Sequence, residues 1–484
     1  MQRSSPLPIW LLVLNAGLVM AVTMLSVRVW TLQETALPKK QMTALRLVMK
    51  EVLDHHIESH DAAALLDEAI DGLVHSLDTW SDYVPAKEVK GFEENNTGTY
   101  EGIGVTMLTE GGPPTVLYPH PGGPAERAGL MPGDRILAVA GNPIPANSRP
   151  NPPLHEQVRG KAGTKVSLTI ARGEEPPRDF EVTREGVLQP SVRWARLVDA
   201  AAKVGYLHLS TFQPSSCGEL DAAVEGLVQR GAQALVLDLR DNPGGLLDQA
   251  VKIANRFVAA GNIVTLRKRG GDVEETHDAK PELCRWPTLP LVVIVDRYSA
   301  SASEVLAGAL QDHGRARIVG ERSYGKGFVQ SIYRWQDHDF RLRLTTGHYY
   351  TPSGRDLDRR MRPVRSVDQD TGRTGIRWEP ISASEQKDHP SGGIIPDEIV
   401  SLDSTTTDKV RQGLAANEVP ERWREQVQRI AKLRNYPIRG PVQEGQDTQL
   451  ARAIAVAAGL PPTSSRPASI ESRKASQRGG ADGK

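Results

Sequence analysis

Three short segments carry residue types that could do nucleophilic chemistry. The first is the apolar run Leu291–Val295 followed by Asp-Arg-Tyr-Ser-Ala-Ser-Ala-Ser-Glu and a helical pattern. A serine at such a strand-to-helix turn sits where free backbone N–H groups and the positive end of the helix dipole favour a developing oxyanion. Ser299, Ser301 and Ser303 all qualify. The competing reading is structural, because Ser301-Ala302-Ser303-Glu304 also matches a capping box. The second segment is Ser-Tyr-Gly-Lys-Gly-Phe-Val-Gln, with Lys326 between two glycines and Gln330 four residues on. A lysine in a loop is usually a solvated charge. Beside a serine it becomes a general base if burial lowers its pKa towards neutrality. Gln330 would then orient the amine by a hydrogen bond. The third segment is Asp-Leu-Arg-Asp-Asn-Pro-Gly-Gly-Leu-Leu, residues 238–247. Glycine N–H groups exposed after a strand suit an oxyanion hole, and a tight strand-to-helix turn is the plainer reading.

Other chemistries find less support. The chain has 484 residues, with 59 Lys plus Arg against 59 Asp plus Glu. Zero formal charge argues against a nucleic-acid binder that works by bulk positive charge. Two cysteines, Cys217 and Cys284, exclude a disulfide scaffold or a cysteine zinc cluster and leave room for one disulfide. No Walker loop, Rossmann glycine fingerprint or HExxH motif occurs. His208, His277, His313 and His348 lie in no catalytic context, and there is no G-x-S-x-G elbow.

The elements that must position these residues can be read from periodicity. Residues 41–93 read as helical. Residues 100–190 hold short β-type runs punctuated by Gly and Pro, with a short helix at Ala125–Ala128. Residues 203–345 alternate strands and amphipathic helices, and the continuous apolar strands Ala234–Leu239 and Leu291–Val295 expect cover on both faces. Residues 356–392 are polar and show no period. The stretch from Pro461 is rich in Ser, Arg, Gly and Ala and reads as disordered. At the other end, Ser4–Val27 holds no charge and is long enough for one transmembrane helix. No small-x-small cleavage site stands out, which favours an uncleaved anchor over a signal peptide. Arg3 before the span and Arg28, Lys39 and Lys40 after it leave the orientation ambiguous.

In combination, SASASE, GERSYGKGFVQ, DLRDNPGGLL, LTTGHYYTPSGR and GIIPDEIV resemble the carboxyl-terminal processing proteases, tail-specific serine peptidases of the S41 type, from about Leu65 to Val400. Lys326 follows Ser301 by 25 residues, the interval of that family. The resemblance implies Ser301 as nucleophile, Lys326 as base and Gln330 as the residue that orients it. It implies an oxyanion hole from the amide of Ala302 and one from Gly244 or Gly245, with both glycines open. It implies no metal and no organic cofactor. Tyr298 departs from the family, which usually has a small glycine there, and would narrow the approach to Ser301. PGGPAERAGLMPGDRILAVAG resembles a PDZ domain, and Gly102, Ile103, Gly104 and Val105 resemble its carboxylate-binding loop.

The implied fold is α/β: a crotonase-like protease core with an inserted β-rich PDZ domain, an N-terminal helical cap and one transmembrane helix. The implied divisions are 1–35 anchor, 36–98 helical cap, 99–187 PDZ domain, 188–404 protease core, 405–460 helical region and 461–484 disordered tail. The expected partners are protein or peptide substrates with free C-termini, the membrane through the N-terminal helix, and a further copy of the chain or an adaptor protein, with no nucleic acid. The expected location is the bacterial inner membrane, single-pass, with the catalytic part in the periplasm or extracytoplasmic space. Two rival classes are a non-catalytic adaptor that only presents peptides and a carrier of hydrophobic ligands. The intact set of Ser301, Lys326 and Gln330 argues against the adaptor; the carrier is the weaker reading and would show a retinoid- or lipid-sized apolar cavity and no peptide turnover.

Overall fold

The structure is a computed structural model that describes residues 38–109, 112–145, 153–359, 361–367, 374–380, 392–416, 419–435 and 447–460. The expected anchor at 1–35 and tail at 461–484 lie outside the described residues. Among the described residues no helix is long and apolar enough to cross a membrane. The chain divides into two units, Met1–Val74 and His75–Lys484. The first holds helix α1 (Lys39–His55), none of whose residues is buried, and most of α2 (Ala62–His75).

The second unit begins with β1 (Asp82–Val84), a strand inside the segment expected to be all helix, and α3 (Ala86–Thr97). The chain then enters a β-rich domain through β2 (Thr99–Gly102). Its elements are β3 (Val105–Leu108), β4 (Thr115–Pro119), α4 (Pro124–Arg127), β5 (Arg135–Val139), β6 (Asn142–Pro143), α5 (Leu154–Val158), β7 (Lys165–Ala171) and β8 (Arg178–Thr183). The order β3-β4-β5-β7-β8 is antiparallel, with β6 on β5. Alternation along β7 sends Val166, Leu168 and Ile170 inwards, where they meet Ile103, Val116, Ile136 and Val182. The chain leaves through β9 (Glu185–Leu188), which pairs with β2 so that Thr99 faces Leu188. This ribbon closes the neck of the insertion.

The α/β core follows, with β10 (Val192–Asp199), β11 (Val204–Leu209), α6 (Ser216–Gln229), β12 (Ala234–Asp238), α7 (Leu247–Phe257), β13 (Asn262–Lys268), β14 (Val273–Asp278), β15 (Leu291–Val295), α8 (Ala302–Asp312) and β16 (Arg317–Gly320). Next come β17 (Phe328–Trp335), β18 (His338–Tyr350), β19 (Met361–Val367), β20 (Thr374–Pro380), β21 (Glu398–Ile399), α9 (Ser404–Ala415), α10 (Arg424–Leu433) and α11 (Thr448–Gly459). The main sheet runs β10-β11-β12-β15-β16-β21, parallel except for β10. Both faces of β15 are buried, as its unbroken apolar run requires. Val293 and Val295 join the layer of α6, α7 and α8, while Val292 and Ile294 pack with Leu450, Ala453 and Ala457 of α11. A second, antiparallel sheet runs β1-β18-β13-β14, with β17 on β18.

Part of the segment read as irregular is ordered. β19 and β20 pair antiparallel over seven positions, from Met361↔Pro380 to Val367↔Thr374. The hairpin escaped detection because its strands are polar and contain Pro363 and Pro380, which weaken a strand assignment. Cys217 and Cys284 are both free thiols, so the one disulfide the sequence left room for is not formed.

Candidate active site

The turn after β15 is tied down at every residue. The Asp296 carboxylate accepts from the amides of Tyr298 and Ser299 at 3.0 Å each. It also accepts from the Asp241 amide at 3.2 Å, on the loop after β12. Burial pushes the Asp296 carboxyl up to about 6, against the pull of these donors. The three candidate serines now separate. Ser299 is buried and donates to the Leu239 carbonyl at 2.8 Å. Ser303 is buried and donates to the Asn242 carbonyl at 3.0 Å. Ser301 alone remains partly open to solvent, at the N-cap of α8 with φ 55° and ψ −113°. A positive φ is costly for a non-glycine residue and presents this side chain on a sharp strand-to-helix turn.

The Asp241–Gly245 loop packs against that turn. The Asn242 carbonyl accepts from the Ala300 amide at 3.0 Å. A Cβ on Gly244 would lie 2.8 Å from the Ala300 carbonyl oxygen and 2.9 Å from both the Ala302 nitrogen and Ser301 Cβ, and its φ is +102°. Only glycine allows that approach. The Gly244 amide donates to Asn242 Oδ1 at 2.9 Å. The Gly245 amide has no acceptor among the described residues, and the first turn of α8 leaves the Ala302 amide free of an intrahelical one. Of the two glycines, Gly244 supplies the close contact and Gly245 the open donor.

Lys326 lies on the loop between β16 and β17. The close approach of Leu357 and Asp358 leaves no room for a side chain at Gly327, where a Cβ would lie 2.2 Å from the Asp358 nitrogen. Lys326 Nζ donates to Gln330 Oε1 at 2.9 Å and lies 4.5 Å from the centre of the Trp80 indole. Gln330 Nε2 in turn donates to the Trp80 carbonyl. Burial, and next the Arg343 guanidinium, bring the Lys326 amine down to about 8, while Glu304 and Asp78 act in the opposite sense. Among the described residues Lys326 Nζ has no hydrogen bond to Ser301. Such contacts are often long in a free enzyme and tighten with substrate.

Glu304 is the residue whose role was missed. It is completely buried and forms the capping box, taking the Ser301 amide on Oε2 at 2.8 Å. The same oxygen takes the Lys326 amide at 2.8 Å. Its other oxygen takes Ser323 Oγ at 2.5 Å and the Gly325 amide at 2.7 Å. Burial raises its carboxyl above the usual range and the four donors oppose that shift. One carboxylate therefore fixes the serine turn and the lysine loop relative to each other. Trp80 was missed as well. Asp241 has a positive φ of 56° and pairs with Arg411 of α9 at 2.8 Å. The Arg411 guanidinium also lies 4.0 Å from the centre of the Tyr298 ring, so the unusual tyrosine is stacked beneath α9.

In the β-rich domain, a cavity of about 340 Å³ is lined by Ile103, Gly104, Val105, His120, Arg159 and Arg193, among others. Gly102 is absent from that lining and pairs instead with Glu185 in the neck ribbon. Arg159 Nη1 binds Glu94 Oε2 at 3.1 Å, and Arg193, from β10 of the α/β core, donates to the Ala415 carbonyl at 2.7 Å.

Residues 203–366 match the profile of peptidase family S41, and residues 115–172 match that of the PDZ domain. A "Probable CtpA-like serine protease" of Staphylococcus epidermidis is 34% identical over 337 residues, covering 69% of this chain and 67% of that protein. One of Staphylococcus aureus is 35% identical over 317 residues, covering 65% of this chain and 62% of that protein. Among solved structures, the photosystem II D1 C-terminal processing protease matches with a TM-score of 0.40 and 26% identity, over 73% of this chain and 86% of that one.

Proposed function

The chain belongs to peptidase family S41, and from that premise we propose a membrane-anchored serine endopeptidase with a Ser301–Lys326 dyad. It grips the C-termini of its protein substrates in its PDZ domain. The observation that carries the dyad is the state of Lys326: an amine brought to about 8 by burial, oriented by Gln330, on a loop that Glu304 ties to the Ser301 turn.

Neutral Lys326 takes the proton from Ser301 Oγ as the oxygen attacks the scissile carbonyl. The tetrahedral oxyanion is received by the amides of Ala302 and Gly245. Lys326, now an ammonium, gives its proton to the leaving amine, and the C–N bond breaks. A water then enters and attacks the acyl carbonyl as Lys326 removes its proton; the ester C–O bond breaks, and Lys326 returns the proton to Ser301 Oγ, which frees the serine and leaves the amine neutral. Only a neutral amine starts this sequence, which is why its dehydration matters.

The PDZ cavity takes the substrate tail as an added strand, with its carboxylate at the Ile103–Val105 loop. The uncharged stretch Ser4–Val27 holds the protein in the inner membrane, and the residues after about 30 stand on the extracytoplasmic side. The test is degradation of an unfolded reporter with a free apolar C-terminus by the full chain in detergent, beside Ser301→Ala. Cleavage by the parent and none by the variant is expected. Equal cleavage by both would remove Ser301 from the reaction.

A further inference from the structure

Lys326 is held by two groups, and both involve one residue of a different segment. The Trp80 indole face lies under its Nζ, with 4.5 Å from nitrogen to ring centre. The Trp80 carbonyl accepts from the Gln330 amide, whose oxygen accepts from the lysine. We propose that Trp80 is a positioning residue of the proton transfer: its indole receives the ammonium that Lys326 becomes on taking the Ser301 proton, and its carbonyl sets the Gln330 amide that aims the amine. The inference rests on the Ser301–Lys326 reading above.

The local structure holds the ring in place. Asp78 Oδ1 accepts from the Trp80 amide at 2.6 Å and from the Ser81 amide at 2.7 Å, closing the turn that carries the indole. The same oxygen accepts from Thr345 Oγ1 at 3.2 Å, and Ser81 Oγ accepts from the Thr345 amide at 3.2 Å, which docks the turn on β18. Tyr324, two residues before the lysine, meets the indole edge-on with ring centres 5.6 Å apart. A cation over an indole face is attracted by the ring quadrupole, and a neutral amine is not. The indole therefore favours the protonated lysine, the charge that develops during acylation. The same ring covers the amine and keeps water from it. The charged groups facing the lysine are Arg343 from β18, which disfavours the ammonium, and Glu304 from α8 and Asp78 from the turn, which favour it.

Cover and attraction act in opposite directions on the lysine, so they can be separated. Trp80→Leu keeps an apolar cover and removes the π face, while Trp80→Phe keeps a weaker face. The measurement is kcat/KM against pH on a peptide with a free C-terminus, for the full chain, the two Trp80 variants and Lys326→Ala. For Trp80→Leu, the acid limb should move down by about half to one pH unit and the plateau should fall about three- to tenfold, with Trp80→Phe between it and the parent. An acid limb that stays in place or moves up, with Lys326→Ala inactive, would overturn the role of Trp80 and leave the dyad standing. Parent-level activity in Lys326→Ala would instead overturn the dyad. If Trp80→Leu fails to fold, fluorinated tryptophans placed at position 80 keep the shape while weakening the quadrupole. The acid limb should then fall stepwise with fluorine number, and an unmoved limb refutes the proposal.

Discussion

Glu304→Gln turns one oxygen of a buried carboxylate into an amide donor and leaves the outline of the side chain unchanged. Its cost follows from the four donors. The new NH2 group settles at the Oε1 position, because Ser323 Oγ there can turn and accept, whereas Ser301 and Lys326 offer only N–H groups at Oε2. The Gly325 amide, at 2.7 Å, then loses its acceptor. A lost hydrogen bond to a charged group is worth about 1.5–3 kcal/mol, and the two bonds kept at Oε2 weaken as their acceptor becomes neutral. Burying no charge recovers part of the loss. The net cost should be about 2–4 kcal/mol, against a typical total of about 5–15 kcal/mol. Glu304→Ala strands all four donors and should cost on the order of 4–12 kcal/mol, close to the whole stability. Urea unfolding reads the stability. The rate of Ser301 labelling by a fluorophosphonate should drop about ten- to a hundredfold in the glutamine variant, since small displacements of reacting groups carry penalties of that size. A Glu304→Gln protein that matched the parent in both measurements would refute the reasoning, because no single carboxylate would then be coordinating the two loops.

Two further outcomes follow from the same site. Between pH 8 and 6, kcat/KM should fall about tenfold per unit as Lys326, at about 8, is protonated. Below about 6, where Asp296 is protonated and its grip on the Tyr298, Ser299 and Asp241 amides weakens, the fall should steepen; a flat profile from 6 to 9 would remove the lysine from the reaction. Gly244→Ala places a methyl 2.8–2.9 Å from the backbone of the nucleophile turn at a φ of +102°, and should abolish turnover at a stability cost of about 1–3 kcal/mol. Turnover within a factor of two of the parent would show that the turn yields more than its hydrogen bonds suggest.

The sequence was most legible where one segment carries its own reason. Leu291–Val295 had to be a strand covered on both faces, and the pattern from Ser303 onwards had to be a helix. Which serine stays open was not legible, since Ser299 and Ser303 are taken up by the carbonyls of Leu239 and Asn242, about 60 residues away in the chain. Local rules gave Glu304 one partner, the capping-box amide. Its other three partners stand 19 to 22 residues further on, where no periodicity points. Trp80 lies 250 residues from Gln330, in a segment read only as helical packing. The difference between Gly244 and Gly245 needed coordinates for the same reason: an Asn242 side chain folds back onto its own loop and takes the Gly244 amide.

The Arg240 guanidinium, two residues before Asn242, has a consequence for the order of events during synthesis. It is fully buried, and its two carboxylate partners are Asp238 beside it and Asp447 at the head of α11, 207 residues later. A nascent chain that has reached residue 440 already contains Ser301, Lys326 and Gln330, with Asp238 beside Arg240, yet it lacks the second carboxylate on Arg240 and the helix that covers Val292 and Ile294. The buried support beneath the Asp241–Gly245 loop is thus completed only when the polypeptide has been extended through α11.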